Sequence, residues 1–358
     1  MRQLCAASVY GSELIPSLRE LSQKHGLSKS LAQRVVRSLC DEGLLYPVHG
    51  MGTFAGRRPT QSGKLFLFVG DGGPRDVTIR QGFEERLSAL GAVSIALLRE
   101  DAGLQRKDGL LPEIDGVWDT RLESTTQVPT VGLLGKVDPA SCDSVFFDDV
   151  QGGNTAVQHL LAFGTRSAVF LGVHVDGAPY GALDWSERRA DGFRQAMTSV
   201  GLEGSARVLV PAAVMPIDRP LEPWDYFGMG ASLASQVDCL EPNLGIVAAN
   251  DRVAYGFISA ALTAGVPADR IPPIIGFDNS ASKFGNHLSS MALPWAELGR
   301  GAADIVFRRA TGVLEGLPVS EVVSMIPITR LSSRRGWLPQ APGLLAALAK
   351  HSVENDLL

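Results

Sequence analysis

From residue 65 to about 310, short apolar runs alternate with amphipathic stretches, and that alternation leaves few folds open. Leu65-Phe66-Leu67-Phe68-Val69-Gly70 is apolar throughout and ends in glycine. A strand with one wet face would alternate, so a continuous run reads as a strand buried on both faces. Similar runs recur at 92–98, 114–118, 129–134, 144–147, 167–172, 207–210, 244–248 and 273–277. Between most of them lie stretches with helical spacing, at 78–90, 151–163, 187–200, 228–238, 252–264 and 295–310. Strand-helix repetition predicts parallel α/β sheets covered by helices. The body from 65 to 337, roughly 270 residues, is large for one sheet, which predicts two lobes.

The stretch from Leu14 to Arg57 follows a different pattern. It reads as helix, tight turn, second and third helices, then a two-stranded wing. Leu18, Leu21 and Leu27 can pack one side of the first two helices. Leu31, Val35, Leu39 and Leu44 recur at roughly helical spacing and are expected to fill the small core. Ser28 stands where an N-cap would start the third helix. That helix then carries Lys29, Ser30, Gln33, Arg34 and Arg37 on its polar side. These residue types hydrogen-bond base edges and phosphates. Gly50 and Gly52, before Thr53 and Phe54, fit the tip and return strand of a wing.

Three motifs in order carry a resemblance here: Ile15-Pro16-Ser17-Leu18-Arg19-Glu20-Leu21, Gly26-Leu27-Ser28-Lys29-Ser30, and Glu42-Gly43-Leu44 through Gly50-Met51-Gly52-Thr53-Phe54. The segment resembles the winged helix-turn-helix of the GntR family of bacterial transcription regulators. The resemblance implies that Arg19, Ser28, Lys29, Arg34 and the wing from His49 to Gly52 face double-stranded DNA.

Charge is divided in keeping with this. Residues 1–58 hold eight Lys/Arg and four Asp/Glu, about +4, whereas the rest holds 25 and 34, or −9, which sums to the −5 of the whole chain. A basic head on an acidic body suits a nucleic-acid module joined to a domain with another task. No run of about 18 apolar residues predicts a membrane span, and no basic segment followed by an apolar one marks a signal peptide. Cys5, Cys40, Cys142 and Cys239 are far apart and form no CxxC pair. Free, mostly buried thiols in a reducing, cytoplasmic setting are expected.

Five phrases in the body carry a second resemblance. They are Asp148-Asp149-Val150-Gln151-Gly152-Gly153 leading to His159-Leu160; Ser186-Glu187-Arg188-Arg189-Ala190-Asp191-Gly192-Phe193; Ala248-Ala249-Asn250-Asp251; Ile274-Ile275-Gly276-Phe277-Asp278-Asn279; and Pro294-Trp295-Ala296-Glu297-Leu298-Gly299. Together they resemble the LacI-type regulator core, which shares its fold with periplasmic sugar-binding proteins. With the head, the whole looks like the arabinose-repressor type of chimeric regulator. The expected architecture is α/β, a winged helix-turn-helix followed by a two-lobed periplasmic-binding-protein-like domain with parallel sheets. Its expected parts are 1–57, a linker 58–64, the body 65–337 and a tail 338–358 containing a short helix. The lobes would be 65–170 with 291–318, and 171–290 with 319–337, the chain crossing near 170, 290 and 318.

The resemblance implies a homodimer whose two lobes close around a small effector, a sugar or related polyol, and so alter operator binding. Arg189 would reach a ligand hydroxyl or carboxylate, and Asn250 and Asp278 would hydrogen-bond hydroxyls, with Asp148, Asp251 and Asn279 beside them. Trp224, near Tyr226, stands where relatives often place an aromatic ring, or is a surface loop residue. Asp71 follows the first strand at a cleft edge, or is a turn acid.

Enzyme chemistry finds little support. Val69-Gly70-Asp71-Gly72-Gly73 lacks GxGxxG spacing, no Walker A or GxSxG motif occurs, and the six histidines show no zinc spacing. No cofactor and no metal are expected. Asp148 and Asp149 are adjacent, so on a strand they would point to opposite faces. The competing class is a small-molecule binding protein whose head no longer binds DNA and acts through protein partners. The short segment before the first motif and the neutral wing Val48-His49-Gly50-Met51 favour it.

Overall fold

The structure, a computed structural model, describes residues 15–48, 52–55, 65–70, 74–98, 114–119, 129–134, 142–174, 184–212, 225–280 and 286–355. In the head, α1 (Leu18–His25) begins at Ser17, whose hydroxyl accepts the Glu20 N–H while the Glu20 carboxylate accepts the Ser17 N–H. This capping box satisfies two of the donors a helix start leaves open. Helix α2 (Lys29–Asp41) begins at Ser28, whose hydroxyl accepts from Leu31 N. Strands β1 (Leu45–Val48) and β2 (Gly52–Ala55) pair antiparallel, Leu45 opposite Ala55 and Val48 opposite Gly52.

The head's core differs from the expected one. Leu39, Leu45 and Ala55 form it, with Ile15, Val36, Cys40 and Leu44 packed against them. Leu31 and Val35 are 38% and 37% exposed, while Ala32 is buried. Steps of four residues rotate about 40° per step around a helix of 3.6 residues per turn. A stripe drawn back from Leu39 at that spacing therefore leaves the core face, and Val36 and Ala32 hold it instead.

After the head the elements run β3 (Leu65–Gly70), α3 (Pro74–Ala89), β4 (Val93–Leu98), β5 (Ile114–Asp119), β6 (Thr130–Leu133), β7 (Asp143–Phe147), α4 (Asp149–Ala162), β8 (Ser167–Leu171), α5 (Asp184–Ser199), β9 (Ala206–Leu209), α6 (Tyr226–Leu233), β10 (Leu244–Ala248), α7 (Asp251–Thr263), β11 (Ile274–Phe277), β12 (Ser289–Ala292), α8 (Trp295–Ala310), β13 (Ser320–Val323), β14 (Ile326–Ile328) and α9 (Pro342–Asn355). The chain divides into two units, Met1–Phe146 with Trp295–Val323, and Phe147–Pro294 with Ser324–Leu358. The division falls at 146, 294 and 323, the first well before the expected 170 and the other two within five residues of the expected 290 and 318. Helix α4 packs on α5 and reaches β10 and β11, so it and β8 belong to the second unit. Local pattern reports a helix's apolar face but not which sheet that face covers.

The first unit's sheet has the order β13-β7-β6-β5-β3-β4. Strand β3 pairs parallel with β4 and β5, and β6 pairs parallel with β5 and β7. Helices α3 and α8 pack together beside it. Arg309 on α8 grips the buried Asp143 carboxylate through Nε and Nη2, both at 2.8 Å, and donates from Nη2 to the Leu317 carbonyl. That fixes the segment leading into β13.

The second unit's sheet has the order β14-β12-β11-β10-β8-β9. All its strand pairs are parallel except β12 with β14. Strands β8, β10 and β11 are buried at every position, as their unbroken apolar runs require. Strands β12 to β14 escaped the sequence reading because they are short, β12 and β13 are partly polar and β14 is centred on a proline. The tail is anchored here: Trp337, Leu338, Leu344 and Leu348 are buried.

Helices α4 and α5 meet backbone to backbone. A Cβ on Gly192 would lie 1.8 Å from the Val150 carbonyl oxygen, and one on Gly153 would lie 2.0 Å from the Arg189 carbonyl oxygen. Gly192→Ala must push the helices apart. It is expected to destabilise the protein by about 1–3 kcal/mol, read as a lower urea midpoint at unchanged m-value. An unchanged midpoint would show that the two helices can separate freely.

Candidate functional site

The carboxyl ends of β10 and β11 and the first turns of α5 and α7 come together in the second unit. At their centre is Arg189, only 3% exposed. Its Nε donates to Asp149 Oδ1 at 2.9 Å and its Nη1 to the Ala249 carbonyl at 2.7 Å. The guanidinium lies between two rings, 4.6 Å from the Trp185 centroid and 4.3 Å from that of Phe277. Asp149, also buried, accepts from Arg188 through its other oxygen at 2.9 and 3.3 Å. One carboxylate thus serves two guanidinium groups. Nη2 of Arg189 has no acceptor among the described residues, and it is not one of their sealed, unsatisfied atoms. A buried cation whose partner is shared, with N–H donors unmatched among the described residues, suits an incoming oxygen acceptor.

Asn250 is the N-cap of α7, its side-chain oxygen accepting from Val253 N at 2.9 Å. The residue is 3% exposed, and its Nδ2 donor has no acceptor among the described residues. It neighbours Ala249, to which Arg189 is bonded.

After β11 the chain makes an unusual turn, with φ of 94° at Asp278 and 48° at Asn279. Non-glycine residues rarely adopt this region, Asp and Asn least reluctantly. Such strain persists only where the surroundings over-determine it, and it marks candidate ligand sites. Those surroundings are visible. Asp278 N donates to the Met291 carbonyl at 3.0 Å. Asn279 N donates to Ser290 Oγ at 2.9 Å, and Ser290 Oγ donates to Asp251 Oδ1 at 2.8 Å. Ser280 N donates to the other Asp251 oxygen at 3.1 Å. Asn279 Oδ1 accepts from Arg330, which also donates to the Leu288 carbonyl. Glycine at 276 is required, because a Cβ there would sit 2.2 Å from Asp251 Oδ1.

Burial, and then the nearby charge of Asp278, push the Asp251 carboxyl up to about 8, against the opposing effects of its hydrogen bonds to Ser290 and Ser280 and of the Arg330 charge. The folded state therefore binds one more proton than the unfolded chain between about pH 4 and pH 8, and stability falls as pH rises through that window. Asp251→Asn removes the titration, so the variant should gain on the wild type from pH 5 to pH 8.5 in urea denaturation. A difference that does not change with pH would show that Asp251 is already ionised at pH 5.

Sequence-predicted residues separate into groups. Arg189, Asn250, Asp251, Asp278 and Asn279 are brought to one edge of one sheet, but with unequal freedom. Asp251 is occupied as the organiser of the 278–280 turn, and the Asn279 side-chain oxygen is held by Arg330. Asp148 is the N-cap of α4, accepting from Gln151 N at 2.9 Å. Asp71 and Trp224 lie outside the described residues, as do His49 and Gly50, whereas Gly52 opens β2. Arg19, Ser28, Lys29, Ser30, Gln33, Arg34 and Arg37 are all exposed. Ser28 and Ser30 hydroxyls bond each other, while Lys29, Gln33, Arg34 and Arg37 meet no hydrogen-bond or ion-pair partner among the described residues.

Sequence reasoning missed Asp149, Trp185, Phe277, Ser290 and Arg330 as site residues. Trp185 was findable, since it stands four before Arg189 on one helix and so on the same face. Asp149 and Phe277 stand directly beside the predicted Asp148 and Asp278 in the quoted phrases, whereas Ser290 and Arg330 reach the site across long sequence separations and left no local signal. Among the described residues no cluster could hold a metal ion, and no helix is long and apolar enough to cross a membrane.

Comparison with known proteins agrees with the architecture. Residues 157–334 match the periplasmic binding protein-like domain family. The HTH-type transcriptional regulator DegA of Bacillus subtilis is 33% identical over 182 residues, 49% of this chain and 48% of that protein. The chain spans about half the length of the curated relatives it matches. A ribose-bound LacI family transcriptional regulator from Enterococcus faecium superposes with a TM-score of 0.54 at 21% identity, over 76% of this chain and 99% of that one. The transcriptional regulator CelR in complex with cellobiose gives 0.55 at 18% identity, over 89% of this chain and 100% of that one. The body of the chain, with its two units and parallel sheets, has the fold of a periplasmic binding protein-like domain.

Proposed function

We propose that this chain is a ligand-responsive transcription regulator. Its GntR-like head reads operator DNA through α2 and the wing, and its body binds a sugar or related polyol at the carboxyl edge of the second sheet. One observation carries the reading. A single chain joins a basic helix, whose exposed Lys29, Gln33, Arg34 and Arg37 meet no hydrogen-bond or ion-pair partner among the described residues, to a sheet edge where the buried Arg189 and Asn250 hold donors with no acceptor among the described residues. Similar proteins are HTH-type regulators, and two solved structures of this fold hold ribose and cellobiose. The body forms a two-fold dimer, setting two heads on the half-sites of a pseudo-palindrome. Asp278 and Asn250 pair with ligand hydroxyls, and repression is relieved by the sugar.

Genomic fragments captured by the purified protein at low salt test this. Enrichment of a few palindromic sites supports it, and the genes beside those sites name effector candidates. Enrichment of nothing over background removes the DNA-reading claim.

A second reading has one observation in its favour. Leu31 and Val35 are exposed apolar side chains on α2, which suits a protein partner for the head. It predicts capture of no DNA at any salt concentration.

A further inference from the structure

We propose that the apolar flank formed by Leu31 and Val35 on α2 reads thymine in the operator, by packing on its 5-methyl group in the major groove. The inference rests on the DNA-reading head proposed above and deepens it.

Leu31 and Val35 stand four residues apart on α2, so they share one side of the helix. They are 38% and 37% exposed, and among the described residues of the head they are the large apolar side chains that stand in water. The head's own core does not use them, since Ala32, Val36 and Leu39 hold the inward face. Successive residues turn about 100° around a helix, which sets Leu31 about 60° round from Arg34 and Val35 about 40° further. The apolar pair is thus continuous with the exposed face that bears Ser30, Arg34 and Arg37. Leu31 also lies in the first turn of α2, and the N-terminal residues of such a helix are the ones that meet base edges.

The charge around this flank decides what covers it. From Lys29 to Ser38 the helix carries the cations Lys29, Arg34 and Arg37 and no acid. Such a surface suits the phosphates that border a groove. Two side chains also make a small apolar patch, whereas a stable protein interface engages about 20–30 residues a side. In the major groove, thymine is the base that offers an apolar group, its C5 methyl, beside donors and acceptors within the repertoire of Gln33, Arg34 and Arg37. Cytosine, the other pyrimidine, lacks that methyl and presents an amino group instead. Packing Leu31 on one methyl group removes apolar surface from water on both partners and is worth about fourfold in affinity. Polar neighbours on α2 then fix register, and the apolar flank adds a preference that no hydrogen bond supplies.

The test uses the duplex that the wild-type protein selects most strongly from a library of random-sequence DNA. Each thymine of that duplex is replaced in turn by uracil, which removes the methyl group and leaves the base's hydrogen-bonding edge unchanged. Affinities are measured by fluorescence anisotropy for the wild type, for Leu31→Ala and for Leu31→Ala combined with Val35→Ala. Uracil is expected to weaken wild-type binding about fourfold at one position or more of each half-site. Leu31→Ala should bind the thymine duplex more weakly and respond less to uracil at that position, and the double variant should not respond there at all, the non-additivity that marks a direct contact. Neither variant should change the melting temperature or the slope of log affinity against log salt, because the lost contact is neither part of the core nor made to phosphate. The uracil series on the wild type needs no variant, so a folding defect cannot hide the result. If uracil weakens wild-type binding at no position, or if its full effect persists in the double variant, the inference is overturned while the DNA-reading head stands. If the wild type selects no sequence, DNA reading itself fails, this inference falls with it, and the flank passes to the protein-partner reading.

Discussion

Arg189→Ala is expected to lose about 3 kcal/mol of stability and all response to effector. The change leaves Asp149, whose side chain is 5% exposed, with Arg188 as its remaining partner. It also strips the Ala249 carbonyl of its donor and opens a gap between Trp185 and Phe277. Removing one member of a buried ion pair costs about 3–5 kcal/mol, because the other charge stays buried and unmatched. Arg188 still bonds Asp149, which places the loss at the low end. The melting temperature should fall by roughly 6–12 °C if the unit that holds Arg189 melts as a body of about 150–250 residues. Asp149→Asn with Arg189→Met removes both charges, so it should recover most of that stability while binding no effector. A loss below about 1 kcal/mol in the single variant would mean that Arg188 alone satisfies Asp149.

Arg34→Ala should behave in the opposite way. Arg34 is exposed and meets no partner among the described residues, so stability should stay within about 0.5 kcal/mol. Operator affinity should fall about ten- to hundredfold, the loss of one good base or phosphate contact. The two roles are separable. A phosphate contact lowers the slope of log affinity against log salt by about one, whereas a base contact lowers affinity for one sequence more than for others. Effector affinity should not move. A folded variant that loses both DNA and effector would contradict the division into two modules.

Much of this molecule was legible in its sequence, for identifiable reasons. Strands β3, β8, β10 and β11 announce themselves because burial on both faces removes polar residues, leaving runs such as Leu244 to Ala248. The start of α2 was readable because a short polar side chain, Ser28, caps it. Strands β12 to β14 were not, since Ser289 and Ser290 sit in a buried strand through hydrogen bonds to distant residues that no window contains. The same limit applies to the site. The order of its phrases pointed to Arg189, Asn250 and Asp278. The fact that Asp149 fixes Arg189, or that Ser290 and Arg330 hold the 278–280 turn, depends on contacts formed only when the sheet assembles. The α2 core was misread for a simpler reason. Bulky residues were chosen at a constant spacing of four, and the helix turned Leu31 and Val35 outward.

The most direct test of the account is operator affinity measured with and without a bound sugar. For the wild type, saturating sugar should change the operator dissociation constant by about 5–150-fold, a coupling of about 1–3 kcal/mol. Asp278→Ala should bind the operator as the wild type does and show no change. A sugar that binds the wild type yet leaves its operator affinity unaltered would contradict the claim that this chain couples a small molecule to DNA.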